Sequence, residues 1–150
     1  MRILRSRRGV IAAAVVVPAA LVASSLALAT HRPAAGLLFD GSTANSVNFN
    51  EGSIKLRTKE PVRLRQAHVV LGPRMSGWHT HPGPEILAVA EGSITITEAD
   101  CDQVTIGPGQ AYIATPESPF NVSFASGTDF TATHLLPIGA PFSSPAEPRC

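Results

Sequence analysis

His79 and His81 flank a single threonine, and a glutamate follows four residues later in His79-Thr80-His81-Pro82-Gly83-Pro84-Glu85. Side chains alternate between the two faces of a strand, so residues two apart share one, and these imidazoles stand together. Two neutral imidazoles on one face are half of a metal site. Pro82-Gly83-Pro84 must interrupt the strand, because proline has no amide hydrogen to give a ladder. Glu85 then opens the next apolar run, and a hairpin at the break would bring its carboxylate back beside the histidines. Two imidazole nitrogens and one carboxylate oxygen suit iron, manganese, nickel, copper or zinc, and spacing does not choose among them. The competing reading of the same three residues is a polar floor that holds no metal.

The elements that would position this group are strands. From Gly52 onward, short apolar-alternating runs are separated by Gly and Pro, the pattern of an all-β sandwich or barrel. Strands are expected over 53–57, 62–71, 86–90, 93–98, 103–106, 111–114, 120–124 and 129–136. Glu91-Gly92, between two apolar runs, reads as a tight hairpin turn, with glycine supplying the positive φ. Residues 30–50 are rich in Ala, Gly, Ser, Thr and Asn without periodicity and read as an irregular linker or lead-in. The folded domain is expected over 51–150.

The stretch from Gly77 to Gly92 resembles the first conserved motif of the cupin superfamily: HxH, three residues, Glu, six residues, Gly. Gly107-Pro108-Gly109 and the run from Ala111 to Phe124 resemble the second. The resemblance implies an antiparallel, jelly-roll β-barrel with a divalent metal inside, held by His79, His81 and Glu85 and by one histidine of the second motif. That histidine is missing. Counted from Gly109, the motif's Pro falls at Thr115, its Gly at Glu117 and its ligand at Phe120 or, with a slip of one, Asn121. The candidates for a fourth ligand are Asn121, through a weak amide oxygen, and His134, from a neighbouring strand. The alternative is a three-ligand site or a barrel that has lost its metal.

Gln66 and His68 share a strand face and are candidate pocket residues, as are the aromatics Trp78, Tyr112 and Phe120, all of which also read as ordinary core. The resemblance implies a small-molecule ligand and allows a homodimer through sheet edges. Three functions follow: a metal-binding barrel with small-molecule chemistry, a non-catalytic barrel for a small apolar or sugar-like ligand, and an assembly module of an envelope complex.

Charge and targeting narrow the setting. Arg2, Arg5, Arg7 and Arg8 crowd the first eight positions, and without them the chain has eight basic and eleven acidic residues, a net charge of −3. Such a surface excludes nucleic acid as a natural partner, since phosphate binding needs a clustered basic footprint. The basic residues from Lys55 to Arg65 alternate with apolar ones, as on the wet face of a strand. Residues 1–29 read as a signal peptide: a basic start, an uncharged Ala/Val run and Ala27-Leu28-Ala29 as the small-x-small cleavage pattern. An uncleaved membrane anchor is the alternative, and membrane contact is expected through this segment alone. In an exported chain, periplasmic, envelope-associated or secreted, the even pair Cys101 and Cys150 is expected to form a disulfide. Intact-mass measurement on protein from the native host should find a chain beginning at Thr30, whereas a membrane-bound product that retains Met1 would mark the segment as an anchor.

Overall fold

The structure is a computed structural model that describes residues 36–71 and 74–150. The segment read as a signal peptide lies outside the described residues, which contain thirteen strands and no helix. In chain order these are β1 (Gly36–Ser42), β2 (Asn48–Glu51), β3 (Ile54–Arg57), β4 (Val62–Leu71), β5 (Arg74–Met75), β6 (His79–Thr80) and β7 (Glu85–Glu91). There follow β8 (Ile94–Glu98), β9 (Gln103–Ile106), β10 (Ala111–Ala114), β11 (Phe120–Phe124), β12 (Thr128–Pro137) and β13 (Ser144–Pro145). One sheet has the order β1-β4-β12-β7-β10, the facing one β13-β6-β11-β8-β9 with β5 also on β11, and β2-β3 form a separate ribbon. All pairings are antiparallel.

From β6 to β8 and from β10 to β12, each successive strand joins the opposite sheet. This is the all-β jelly-roll barrel expected from the sequence. Alternation of apolar and polar residues drives it: along β7, Glu85, Leu87 and Val89 are buried while Ile86 and Ala88 are only partly so. Along β12, Phe130, Ala132, His134 and Leu136 are buried by the same rule. The inner faces of both sheets interdigitate in one core that includes Leu87, Ile94, Ile96, Val122 and Phe130. Each aliphatic side chain withdrawn from water there contributes roughly 1.5–3 kcal/mol before the entropy of ordering it is counted.

Three expectations need correction. Residues 30–50 are not irregular throughout, since they contain β1 and most of β2. β1 adds an edge to β4, from Gly36 opposite His68 to Ser42 opposite Arg63. Its residues lack alternation because they are mostly exposed on both faces, leaving no apolar period to read. Glu91-Gly92 is not a hairpin turn: β7 and β8 lie in different sheets, and the turn crosses the barrel between them. Glycine is nonetheless required, because its φ is 74° and a Cβ there would lie 2.9 Å from Thr128 Cα. Nor is there a hairpin between the histidines and Glu85, since β6 and β7 also belong to facing sheets.

The Sγ atoms of Cys101 and Cys150 are at bonding distance, 2.03 Å, and join positions 49 apart in sequence. Closing a loop of that length stabilises the fold by about 4 kcal/mol in the chain-entropy picture, less any native strain. Cys150→Ser should therefore lower the unfolding free energy by up to about 4 kcal/mol in urea titrations, and non-reducing peptide maps of the unsubstituted chain should show the two cysteine peptides linked. An unfolding midpoint unchanged by reductant would show that the tether does not support the fold.

Candidate metal centre

β6 and the residue after it carry His79 and His81 on one sheet, and β7 begins with Glu85 on the other. The connection between them is short and tightly seated. Gly83 packs so closely on β12 that a Cβ would fall 1.8 Å from the Leu135 carbonyl oxygen, and the Leu135 amide donates to the Pro84 carbonyl at 3.1 Å. A side chain at 83 would push Glu85 off its strand. The outcome is that one nitrogen of each histidine and one oxygen of Glu85 all lie within 4.8 Å of one another.

Backbone carbonyls set the tautomers. His79 Nδ1 lies 2.8 Å from the Gly77 carbonyl oxygen, and His81 Nδ1 lies 2.7 Å from that of Phe142. A carbonyl only accepts, so each Nδ1 carries the hydrogen and donates it. In the neutral ring, Nε2 then keeps its lone pair, the arrangement in which an outer hydrogen bond orients a metal-binding histidine. His81 Nε2 stands 3.6 Å from Glu85 Oε2. Burial pushes the His81 imidazole below its ordinary value of 6.5, against the Phe142 carbonyl and Glu85, which favour the charged ring. The Glu117 amide, from the loop before β11, donates to the His81 carbonyl at 2.9 Å and holds the backbone in place. Glu117 itself has a φ of 61°, at the position where the second motif has glycine.

His134 lies beside this group on β12. Its Nε2 is 3.0 Å from Glu85 Oε1, and its ring centroid is 4.6 Å from that of His81. The contact with Glu85 is close without hydrogen-bond geometry. Among the described residues, both His134 ring nitrogens and Glu85 Oε2 are buried without a hydrogen-bond partner. Orphaned buried acceptors are costly, and three imidazoles around a carboxylate are a donor set that a divalent cation satisfies. The residues present fit such an ion.

The other candidates are placed differently. Asn121 is on the opposite face of β11 from Phe120 and Val122, and its Oδ1 accepts a hydrogen bond at 3.3 Å from Ser76, whose hydroxyl is also 3.5 Å from His79 Nδ1, so its amide reaches the cluster only through that serine. Phe120 is the register partner of His79, with ring centroids 4.6 Å apart, and sets a carbon ring against the imidazole. A cavity of about 600 Å³ adjoins the centre, lined by Trp78, His79, His81, Glu85 and His134 and by apolar side chains of both sheets. Gln66 and His68 are not in it. β4 turns Arg65, Ala67 and Val69 inward and the alternate set outward, where Gln66 Nε2 donates to Thr133 Oγ1 and His68 lies 2.7 Å from Asp129. Tyr112 and Phe120 border a separate small pocket, where the Tyr112 hydroxyl donates to Glu98 at 2.6 Å. Burial and that bond raise the Tyr112 pKa far above its usual value. Sequence reasoning passed over Arg65 and Phe142. Arg65 had a usable signal in its parity with Ala67 and Val69, while Phe142, beyond the last long strand, had none.

The family model described as Cupin domain matches residues 67–135, which contain His79, His81, Glu85 and His134. No curated protein matches the chain. Among solved structures, a protein from Neisseria meningitidis is 20% identical over 61% of this chain and 84% of its own, with a TM-score of 0.41. A conserved protein with a double-stranded β-helix domain from Klebsiella pneumoniae is 18% identical over 70% of this chain and 82% of its own, with a TM-score of 0.46. A cupin superfamily protein from Desulfitobacterium hafniense is 9% identical over 65% and 79%, with a TM-score of 0.44. The family match spans β4 to β12, the strands that build the barrel wall and carry the histidine–glutamate cluster, and the chain thus contains a small cupin domain.

Proposed function

We propose that the chain is an exported metalloprotein that holds one divalent ion through His79, His81 and Glu85, with His134 as fourth ligand, beside a cavity for a small molecule. The observation that carries this is the buried Glu85 carboxylate among imidazoles whose Nε2 lone pairs are left available by backbone hydrogen bonds. His134 takes the part that the second motif gives to the residue at Phe120. A bound ion supplies a Lewis acid that polarises a ligand oxygen or activates water or dioxygen. The protein's own residues do the rest: the carbonyls of Gly77 and Phe142 orient the rings, Glu85 supplies negative charge, and the apolar side chains of the cavity offer a surface to the ligand's hydrocarbon part. The cysteine pair accords with an oxidising compartment.

The purified chain should bind about one divalent ion, measured by elemental analysis on protein made without an affinity tag. His79→Ala, His81→Ala and Glu85→Ala should each abolish most binding, and His134→Ala should weaken it by on the order of tenfold or more. Metal should raise the melting temperature and a chelator should reverse the gain. A chain that shows no thermal shift with iron, manganese, nickel, copper or zinc, and melts identically after His79→Ala, would instead be a non-catalytic binding barrel.

Proton linkage gives a separate test on the metal-free protein. The folded His81 pKa lies below the unfolded value of 6.5, so below pH 6.5 the unfolded chain binds more protons at this ring than the folded one. The stability from a neutral His81 is complete above that pH and is lost as pH falls through it toward the folded pKa. Thermal melts of chelated protein should decline as pH drops from 8 to 5, and His81→Gln should flatten part of that slope. An unchanged slope would mean that His81 is not held neutral in the barrel.

A further inference from the structure

The cavity wall carries a charge that the metal centre does not use. β4, β12 and β7 are adjacent, and their register sets Arg65 beside His134 and His134 beside Glu85. All three line the cavity. The Arg65 guanidinium stacks on Phe142, 4.0 Å from the ring centroid, and its carboxylate neighbour Asp40 is 3.8 Å away. Both Asp40 oxygens are already engaged by Arg63, at 2.6 and 2.5 Å. Arg65 therefore has donors to offer, and its side chain is only 28% exposed. Beyond it and the histidine–glutamate cluster the wall is mostly apolar, with Ala67, Val69, Leu87, Phe124 and Phe130, and adds the hydroxyls of Ser76 and Ser143.

We infer that the cavity takes a small monocarboxylic acid with an apolar tail, its carboxylate on the Arg65 guanidinium and its hydrocarbon part among Ala67, Val69, Leu87, Phe124 and Phe130. The planar guanidinium fork matches a carboxylate and donates two parallel hydrogen bonds to it. A phosphate dianion would need further cationic donors, and Arg65 is the one Lys or Arg lining the cavity among the described residues. A sugar would find the Ser76 and Ser143 hydroxyls but would still leave most of its own hydroxyls unpaired against the apolar side chains, at a cost in affinity. Net charge points the same way, and here the inference rests on the metal reading. Glu85 offsets one charge of a divalent ion, and with Arg65 the chamber keeps two positive charges, which an anionic ligand reduces.

Trp78 is the single tryptophan and lines the cavity, so its fluorescence reports occupancy. The purified chain, both metal-loaded and chelated, would be titrated with hexanoate and with hexan-1-ol, its neutral analogue. Hexanoate should bind about tenfold more tightly than the alcohol in both preparations, the discrimination of one charge-assisted contact. Arg65→Met should remove that preference while alcohol binding and bound metal per chain are kept, and Arg65→Lys should restore part of it. Equal affinities for acid and alcohol in the unsubstituted chain, no hexanoate binding, or an acid preference that survives Arg65→Met would each overturn the inference. An Arg65-dependent preference in a chain that retains no metal would sink the metal reading and leave this one standing.

Discussion

The interior of this barrel has to accommodate an ionisable carboxylate. Glu85 is 6% exposed, and an isolated carboxylate buried in an apolar chamber is too costly to persist without compensation. The neighbours that could compensate are His81 and His134, yet burial holds the His81 ring toward its neutral form and the His134 contact lacks hydrogen-bond geometry. The cluster is thus rich in lone pairs and poor in protons. A divalent cation would answer the Glu85 carboxylate and one nitrogen of each imidazole it met, which is why the proposed function rests on Glu85 more directly than on any motif.

The placement of the cluster depends on alternation between sheets. If His79, His81 and Glu85 belonged to one hairpin, they would sit side by side on a single wall and open onto whatever lay opposite. Because β6 and β7 belong to different sheets of the barrel, the three side chains converge through its interior instead, beside the cavity. Gly83 makes the crossing short enough, and Gly92 repeats the device at the far end of β7. Strand β12, bonded on one edge to β4 and on the other to β7, then brings His134 and Arg65 into the same row. A side chain on this central strand is held by pairing on both edges, as one on β11 is.

Strand positions were legible because alternation and turn residues are local properties: 62–71, 103–106, 111–114 and 120–124 were read with their observed bounds. The histidine–glutamate group was legible for the same reason. Period two, however, says which residues share a face and not which face is inside. Gln66 and His68 were grouped correctly with each other and assigned to the wrong side, because buried polar pairs with Thr133 and Asp129 make the outer face of β4 look like an inner one. Arg65 was read as solvated for the complementary reason: a charged residue suggests water, even where its stem runs along a cavity. Sheet membership is the second non-local quantity. A positive φ at Gly92 was predictable from its turn, whereas the partner of each flanking strand depends on contacts far away in sequence.

The end of the chain contributes to the site in a way that no local pattern encodes. The Phe142 carbonyl fixes the His81 tautomer, while its ring meets those of His81 and His134 at centroid distances of 5.0 and 4.7 Å and supports Arg65 on its face. β13 pairs with β6, the Ala146 amide donates to the Trp78 carbonyl at 2.9 Å, and Cys150 fastens the tail to Cys101 beyond β8. Two residues of strand pairing would fray readily if left alone, since a short edge strand has little apolar contact to hold it. The cysteine tether supplies what the pairing lacks, by keeping the segment close to its docked position and so lowering the entropy lost on docking. His81 orientation, the Arg65 stack and the wall at Phe142 therefore share one dependence, on a covalent link remote from all three.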